Sequence, residues 1–304
     1  MEALDGRFYA AQIQGDREGQ EDDFGLSIVS EADGEGGEHT LMVLADGMGG
    51  HVGGAAASAV TIKTFIEEFQ HIDSETPMPE RLTRSLHAAN DALIDEVEKS
   101  PELDGMGCTL VAASISEAGL YWVSVGDSPM WLMRDDRLIR LNEDHSMAPV
   151  LANLVLAGRM TEEEAAVDPR RNALRSAVSG EELSLIHAPE IATPLKAGDR
   201  ILLASDGLET MPKADISQFM LDNTNGTPRD MVKGLIAIIE EINKPGQDNC
   251  TVLMYRPDND LGDQSLGLAS AAEPDPNAEV ETVVVKKRRQ RGFFARLFSF
   301  FGGK

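Results

Sequence analysis

The chain has 304 residues, 42% hydrophobic and 26% charged, with a formal net charge of −25. That length buries one large core or two small ones, and a body this acidic repels phosphate backbones, which argues against a nucleic-acid binder. With no apolar run of 18 residues and no basic-then-apolar order in "MEALDGRFYAAQ", neither a membrane-spanning helix nor a secretory signal is expected.

In chain order, a hairpin-like start leads to "LMVLA" at 41–45, a strand by its length and branched residues. Two helical stripes follow. Ile62, Phe65, Ile66 and Phe69 keep i, i+3, i+4, i+7 spacing, and Leu82, Leu86, Ala89, Leu93 and Val97 make the second. Further strands are expected at "CTLVAASI" 108–115, "LYWVSV" 120–125, "MWLMR" 130–134 and "RILLAS" 200–205. A third stripe, Met231, Leu235, Ile238 and Ile242, precedes a last strand, "CTVLMY" 250–255. Consecutive strands with short links favour antiparallel sheets. Helices come in blocks and not after every strand, which argues against a doubly wound parallel sheet. The class is therefore α+β, with helices covering the outsides of packed antiparallel sheets, and residues 1–256 form one domain.

Beyond it the composition changes. Residues 257–285 hold seven acids, no Lys or Arg, and Pro257, Pro274 and Pro276, which reads as an acidic disordered linker. Residues 286–304, "KKRRQRGFFARLFSFFGGK", hold seven basic residues and no acid. The remainder then has 20 basic and 52 acidic residues, a net of −32. If the tail is helical, Phe293, Phe294, Leu297, Phe298 and Phe301 share one face beside the basic cluster, the profile of an interfacial amphipathic segment. Peripheral contact with the inner membrane face is one expectation, and a partner-binding or solvated tail is the other. Two cysteines, Cys108 and Cys250, make no disulfide framework and fit a reducing cytoplasm.

One chemical pattern recurs. "LMVLADG" puts Asp46 after an apolar run and before a Gly; "YWVSVGDS" does so with Asp127 and "RILLASDG" with Asp206. "QDNCTVLMY" puts Asp248 just before a strand, and "REGQEDDFG" adds Glu21, Asp22 and Asp23. A lone carboxylate at a strand end is expensive to desolvate unless paired or metal-bound, although one such Asp is commonly a turn cap. Four in one chain, with few basic residues in the same motifs, point to convergence on cations. The six histidines are scattered, without HExxH, and the cysteines lie far apart, which disfavours zinc. Carboxylates with carbonyls and water suit Mg²⁺ or Mn²⁺. The glycine loop "LADGMGGHVGG" is a poor phosphate cradle, because GxxxxGK[ST] needs a Lys it lacks and GxGxxG fails at Val52. Its glycines would instead let the backbone come close beside Asp46.

Eight pieces in order carry a resemblance: "REGQEDDF", "ADGMGGHVGG", "GCTLVAA", "VGDS", "EDHS", "LVLAGRMTEEEAAVDPRRNALRSAV", "LASDGL" and "QDNCTVL". Over about residues 7–256 the set resembles the bacterial metal-dependent Ser/Thr protein phosphatases of the PPM (type 2C) family. The resemblance implies a four-layer α-β-β-α sandwich with metals in a cleft between two antiparallel sheets. It implies that Asp46 bridges two Mn²⁺ or Mg²⁺ ions, with Glu21 and the Gly47 carbonyl joining it on one and Asp206 and Asp248 on the other. Asp127, with Asp206, would help hold a weaker third ion. Asp22 and Asn249 would support these ligands from behind, and Arg17 would grip the substrate phosphate. A metal-activated water would then attack phosphorus directly, with no phosphoenzyme and no Cys nucleophile.

Gln20 stands where the family motif usually has Asn, Pro129 where Arg is common, and Cys108 where Thr or Ser is usual. None of these removes an implied ligand. In eukaryotic relatives a His follows the Asp-Gly pair, but Met48 stands there in this chain. His51, three residues on, is a candidate general acid, or it orders the glycine loop while water supplies the proton. The expected substrates are phosphorylated proteins, handled by a monomer. The rivals are a phosphatase-like regulatory module without turnover and a hydrolase of small phosphate esters.

Overall fold

The computed structural model describes residues 6–30 and 38–257. The linker and the basic tail expected at 257–285 and 286–304 lie outside the described residues, apart from Pro257.

The order opens with β1 (Phe8–Ile13), β2 (Asp23–Ser30), β3 (Glu38–Ala45) and the short β4 (Gly47–Met48). Helices α1 (His51–His71) and α2 (Met78–Lys99) follow, then the short β5 (Gly107–Cys108). Next come β6 (Leu110–Ser116), β7 (Gly119–Val125), β8 (Met130–Arg134) and β9 (Arg137–Arg140). After α3 (Ala148–Leu156) and α4 (Glu162–Ala166), β10 (Arg200–Ala204), α5 (Lys213–Asp222), α6 (Pro228–Ile242) and β11 (Cys250–Tyr255) complete the domain. One sheet has the order β1-β11-β10-β8-β9 and the other β2-β3-β6-β7, and every pairing in both is antiparallel.

Side-chain alternation explains the layers. On β3, Leu41 and Val43 turn outward and pack with Phe65 and Phe69 of α1 and Leu86 and Leu93 of α2. Met42 and Leu44 turn inward and meet Leu132, Leu203 and Leu253 of the opposing sheet. On β10, Leu203 faces that inter-sheet core while Leu202 faces Leu235 and Ile239 of α6. Both faces of each sheet are therefore dry, and the strands read as continuous apolar runs for that reason. The fold is α+β, with helices outside two packed antiparallel sheets.

One expectation shifts in detail, and one helix lies outside the expected elements. The run expected as one strand at 108–115 is broken at Thr109, whose N–H donates to the Asp46 carbonyl at 2.9 Å, while Cys108 pairs with Gly47 and with Val178. Helix α5 was not read from the sequence, and it buries only Ile216 and Met220, too sparse an apolar stripe to mark it.

Register brings the acid-bearing ends together. Asp23 opposes Ala45 in the β2–β3 pair, so Glu21 and Asp46 leave their strands at one end. Ala204 opposes Val252 in the β10–β11 pair, so Asp206 and Asp248 do likewise. Residues 126–129 pass from β7 in one sheet to β8 in the other, carrying Asp127. Among the described residues no helix is long and apolar enough to cross a membrane.

Candidate metal centre

A cavity of about 290 Å³ opens at this end, lined by Arg17, Glu21, Asp46, Gly47, Asp206, Asp248 and Asn249, with the loop residues Met48, Gly49 and Gly50. A neighbouring cavity of about 120 Å³ is lined by Asp127, Asp144, Asp206 and Glu209, with Arg140 and Arg171. Asp206 faces both. The structure thus gathers Glu21, Asp46, Gly47, Asp206 and Asp248 around one space and sets Asp127 in the next.

The backbone behind these groups is tied down. The Glu21 N–H donates to Asn249 Oδ1 at 2.7 Å, and Asn249 Nδ2 donates to the carbonyls of Gln14 at 2.7 Å and Gly19 at 3.0 Å. The Ser58 hydroxyl donates to the Glu21 carbonyl at 2.6 Å. Asp22 Oδ2 accepts from Ser205 Oγ at 2.7 Å and Thr251 Oγ1 at 2.6 Å, joining the start of β2 to the end of β10 and to β11 of the other sheet. Gln20 Oε1 accepts the Asp22 N–H at 3.2 Å while its amide donates to the Ile13 carbonyl at 3.2 Å. Sequence reading missed Ser58, Ser205 and Thr251. The available signal was a hydroxyl residue beside two of the strand-end aspartates, in "SDG" and "DNCT".

The glycine loop serves the carboxylates. A Cβ on Gly54 would stand 1.9 Å from Glu21 Oε2, and one on Gly47 would stand 2.3 Å from the Gly54 carbonyl oxygen and 2.5 Å from that of Glu21. Only bare backbone lets the loop close on Glu21. The Cys108 thiol, buried against Thr61 Oγ1, is pushed up to about 12, and burial raises Cys250 as well. Neither thiol is poised to ionise as a nucleophile. His51 opens α1, but its side chain lies outside the described residues, and so does the acid role expected for it.

Electrostatics dominate the site. Burial and then the charges of Asp22, Asp206, Asp127 and Asp248 hold the Asp46 carboxyl well above the ordinary range. Burial is also the main cause of the rise of Asp22 and Asp127 to about 7 and of Asp23 and Asp206 to about 6. The Arg17 guanidinium donates to the Asp248 carboxylate from the cavity rim. Among the described residues no three His, Cys, Asp or Glu side chains meet as a ready-made coordination cluster. Like charges facing one cavity stand apart, and Asp248 leans on Arg17. The donor set nevertheless fits hard divalent cations: oxygen ligands, a carbonyl, and ionisation that burial and then neighbouring carboxylates resist and a cation would restore.

Residues 18–231 match the family model described as Protein phosphatase 2C. The serine/threonine protein phosphatase PstP of Mycobacterium tuberculosis is 37% identical over 171 residues, 55% of this chain and 31% of that protein. The chain thus spans about a third of the length of that relative. The serine/threonine phosphatase stp of Listeria innocua is 29% identical over 218 residues, 70% of this chain and 83% of that one. Among solved structures, the M. tuberculosis phosphatase PstP/Ppp superposes with a TM-score of 0.67 at 30% identity, covering 82% of this chain and 97% of that one. The PstP catalytic domain in complex with two manganese ions superposes with a TM-score of 0.64 at 30% identity, with the same coverage.

The raised carboxyls set a pH dependence. In an unfolded chain these aspartates titrate near 3.8, so between about pH 4 and 7 the folded chain holds protons the unfolded chain has released. Their contribution to stability falls as pH rises through that window, and a cation that binds the ionised forms returns it. His145 and His187, held below the ordinary imidazole value by burial, act in the opposite sense, so the cation-dependent gain is the quantity to read. Thermal unfolding with and without Mn²⁺ should show a larger gain in Tm at pH 7.5 than at pH 5; an equal or larger gain at pH 5 would contradict the assignment.

Proposed function

Because this chain belongs to the protein phosphatase 2C family, we propose that it is a metal-dependent protein serine/threonine phosphatase, hydrolysing phosphoserine and phosphothreonine at a binuclear Mn²⁺ or Mg²⁺ site. The observation that carries the reading is the set of carboxylates from both sheets around one cavity, each held by the ends of rigid strands.

In this reading Asp46 would be the ligand common to two ions, with Glu21 and the Gly47 carbonyl helping to hold one and Asp206 and Asp248 the other. Asp127, in the neighbouring cavity that Asp206 also lines, would help to hold a weaker third ion. Bound divalent cations would supply Lewis acidity, lowering the pKa of a water and offsetting phosphoryl charge. The chain's own residues do the rest. Asn249, Ser58 and Asp22 fix the ligand-bearing backbone, so little reorganisation is left for the reacting complex. Arg17, at the rim beside Asp248, presents a planar fork of donors to the phosphate of the substrate. His51 or water returns a proton to the leaving oxygen. The half-exposed Met48 lines the cavity, and Ala148, at the start of α3, lines the neighbouring one, so the surface around the site offers room for a phosphorylated protein segment. For the tail at 286–304 we infer contact with anionic membrane, supported by its seven basic residues and aromatic content against an acidic body.

Two outcomes check these readings. The full chain should cleave a phosphothreonine peptide with Mn²⁺ or Mg²⁺, with higher kcat/KM than on p-nitrophenyl phosphate, and stop in excess EDTA. Turnover that survives EDTA would sink the two-metal reading, and a metal-loaded chain inert on phosphopeptides would favour the regulatory module. The full chain should co-sediment with liposomes containing anionic lipid while residues 1–285 stay in solution; equal sedimentation would exclude the membrane role.

A further inference from the structure

Thr109 grips Asp46 from both sides. Its N–H donates to the Asp46 carbonyl at 2.9 Å, and its Oγ1 accepts the Asp46 N–H at 3.0 Å. The same Oγ1 shares a hydrogen bond with Ser128 Oγ at 2.7 Å. Both side chains are buried, Thr109 at 3% exposure and Ser128 at 0%, so this hydroxyl pair sits away from competing solvent.

Ser128 belongs to the other side of the site. It follows Asp127 where the chain passes from β7 to β8, that is, from the four-stranded sheet to the five-stranded one. Asn142 Nδ2 donates to the Ser128 carbonyl at 2.9 Å, and Asn142 Oδ1 accepts the Met130 N–H at 3.1 Å. Arg140 donates to the Asp127 carbonyl at 2.6 Å. The loop bearing Asp127 is thereby fixed to the five-stranded sheet and Asp46 to the four-stranded one. The Thr109–Ser128 hydroxyl pair ties the two. Thr109 has a second face: a Cβ on Gly126, whose φ is +101°, would stand 2.6 Å from Thr109 Cγ2. Its methyl therefore packs on Gly126 while its hydroxyl makes the tie.

We propose that Thr109 is a positioning residue whose hydroxyl, shared with Ser128, sets the separation of Asp46 from Asp127 and thereby the site's affinity for divalent cations. The proposal rests on the reading of these carboxylates as cation ligands. Without the hydroxyl, the Asp46 N–H loses its acceptor in a buried place, and the two loops lose their shared fixed point.

Two substitutions separate the two faces of the residue. Thr109→Val keeps a methyl against Gly126 and removes the hydroxyl; Thr109→Ser does the reverse. Mn²⁺ titration calorimetry on the full chain should show affinity lowered about 10- to 100-fold in Thr109→Val and within about threefold of wild type in Thr109→Ser, the range seen when groups behind metal ligands are removed. Wild-type affinity in Thr109→Val, or a Thr109→Ser variant as weak as Thr109→Val, would overturn the proposal. Should Thr109→Val fail to fold, Ser128→Ala carries the same test, and unchanged Mn²⁺ affinity there would overturn it. Asp206→Asn is the control for the underlying reading. If it binds Mn²⁺ like wild type, the ligand assignment has failed; if it binds weakly while Thr109→Val binds normally, only the positioning role has failed.

Discussion

The fold has to hold carboxylates buried beside one another at one end of two packed sheets. Asp46 faces the charges of Asp22, Asp206, Asp127 and Asp248 in a place that water reaches poorly. In water such charges would repel weakly, but at the effective dielectric of a protein surface each pair costs several-fold more. A fold that keeps them there must hold them by other means. The means are hydroxyls and amides: Ser205 and Thr251 on Asp22, Asn249 and Ser58 on the Glu21 backbone, and Thr109 on Asp46. The sandwich supplies the rigidity for this arrangement. Strands β3, β10 and β11 run through dry cores on both faces, so their ends cannot easily drift apart.

The same constraint explains why the glycine loop looks as it does. Its sequence suggests a phosphate cradle, yet Gly47 and Gly54 are bare because Glu21 and its carbonyl lie where a Cβ would be. The loop closes over a carboxylate, and Arg17 is the cation that faces it across the cavity. A strongly acidic chain with a dense acidic centre is consistent with a site completed by cations. Family membership, shared with the M. tuberculosis phosphatase that superposes over 82% of this chain, agrees with that chemistry.

Much of this was legible in the sequence because the strands are short, apolar and followed at once by Asp-Gly or Asp-Ser. "LMVLADG" and "RILLASDG" state both the strand and the point where it stops, and the structure ends β3 at Ala45 and β10 at Ala204. The stripe expected in α6 was half right: Met231 and Leu235 reach the core, but Ile238 is only partly buried and Ile242 is exposed, because the buried face runs on through Val232, Ile236 and Ile239. What stayed hidden was tertiary. The break at Thr109 leaves no local mark, since Thr suits a strand interior, and only the long-range bonds to Asp46 and Ser128 end the ladder there. Nothing in the sequence sets Asn142 and Arg140 apart, yet both are buried and both hold the Asp127 loop. Helix α5 escaped because two buried residues make no readable stripe.

Asp46 sits among carboxylates from both sheets, within reach of the charges of Asp22, Asp206, Asp127 and Asp248. The direct test is Mn²⁺ titration calorimetry on the full chain and on Asp46→Asn at pH 7.5, with thermal unfolding to verify the fold. The wild-type chain should take up two ions tightly, and Asp46→Asn, still folded, should lose tight uptake of both, as the proposed sharing of this ligand requires. Uptake of both ions by Asp46→Asn at wild-type affinity would contradict it.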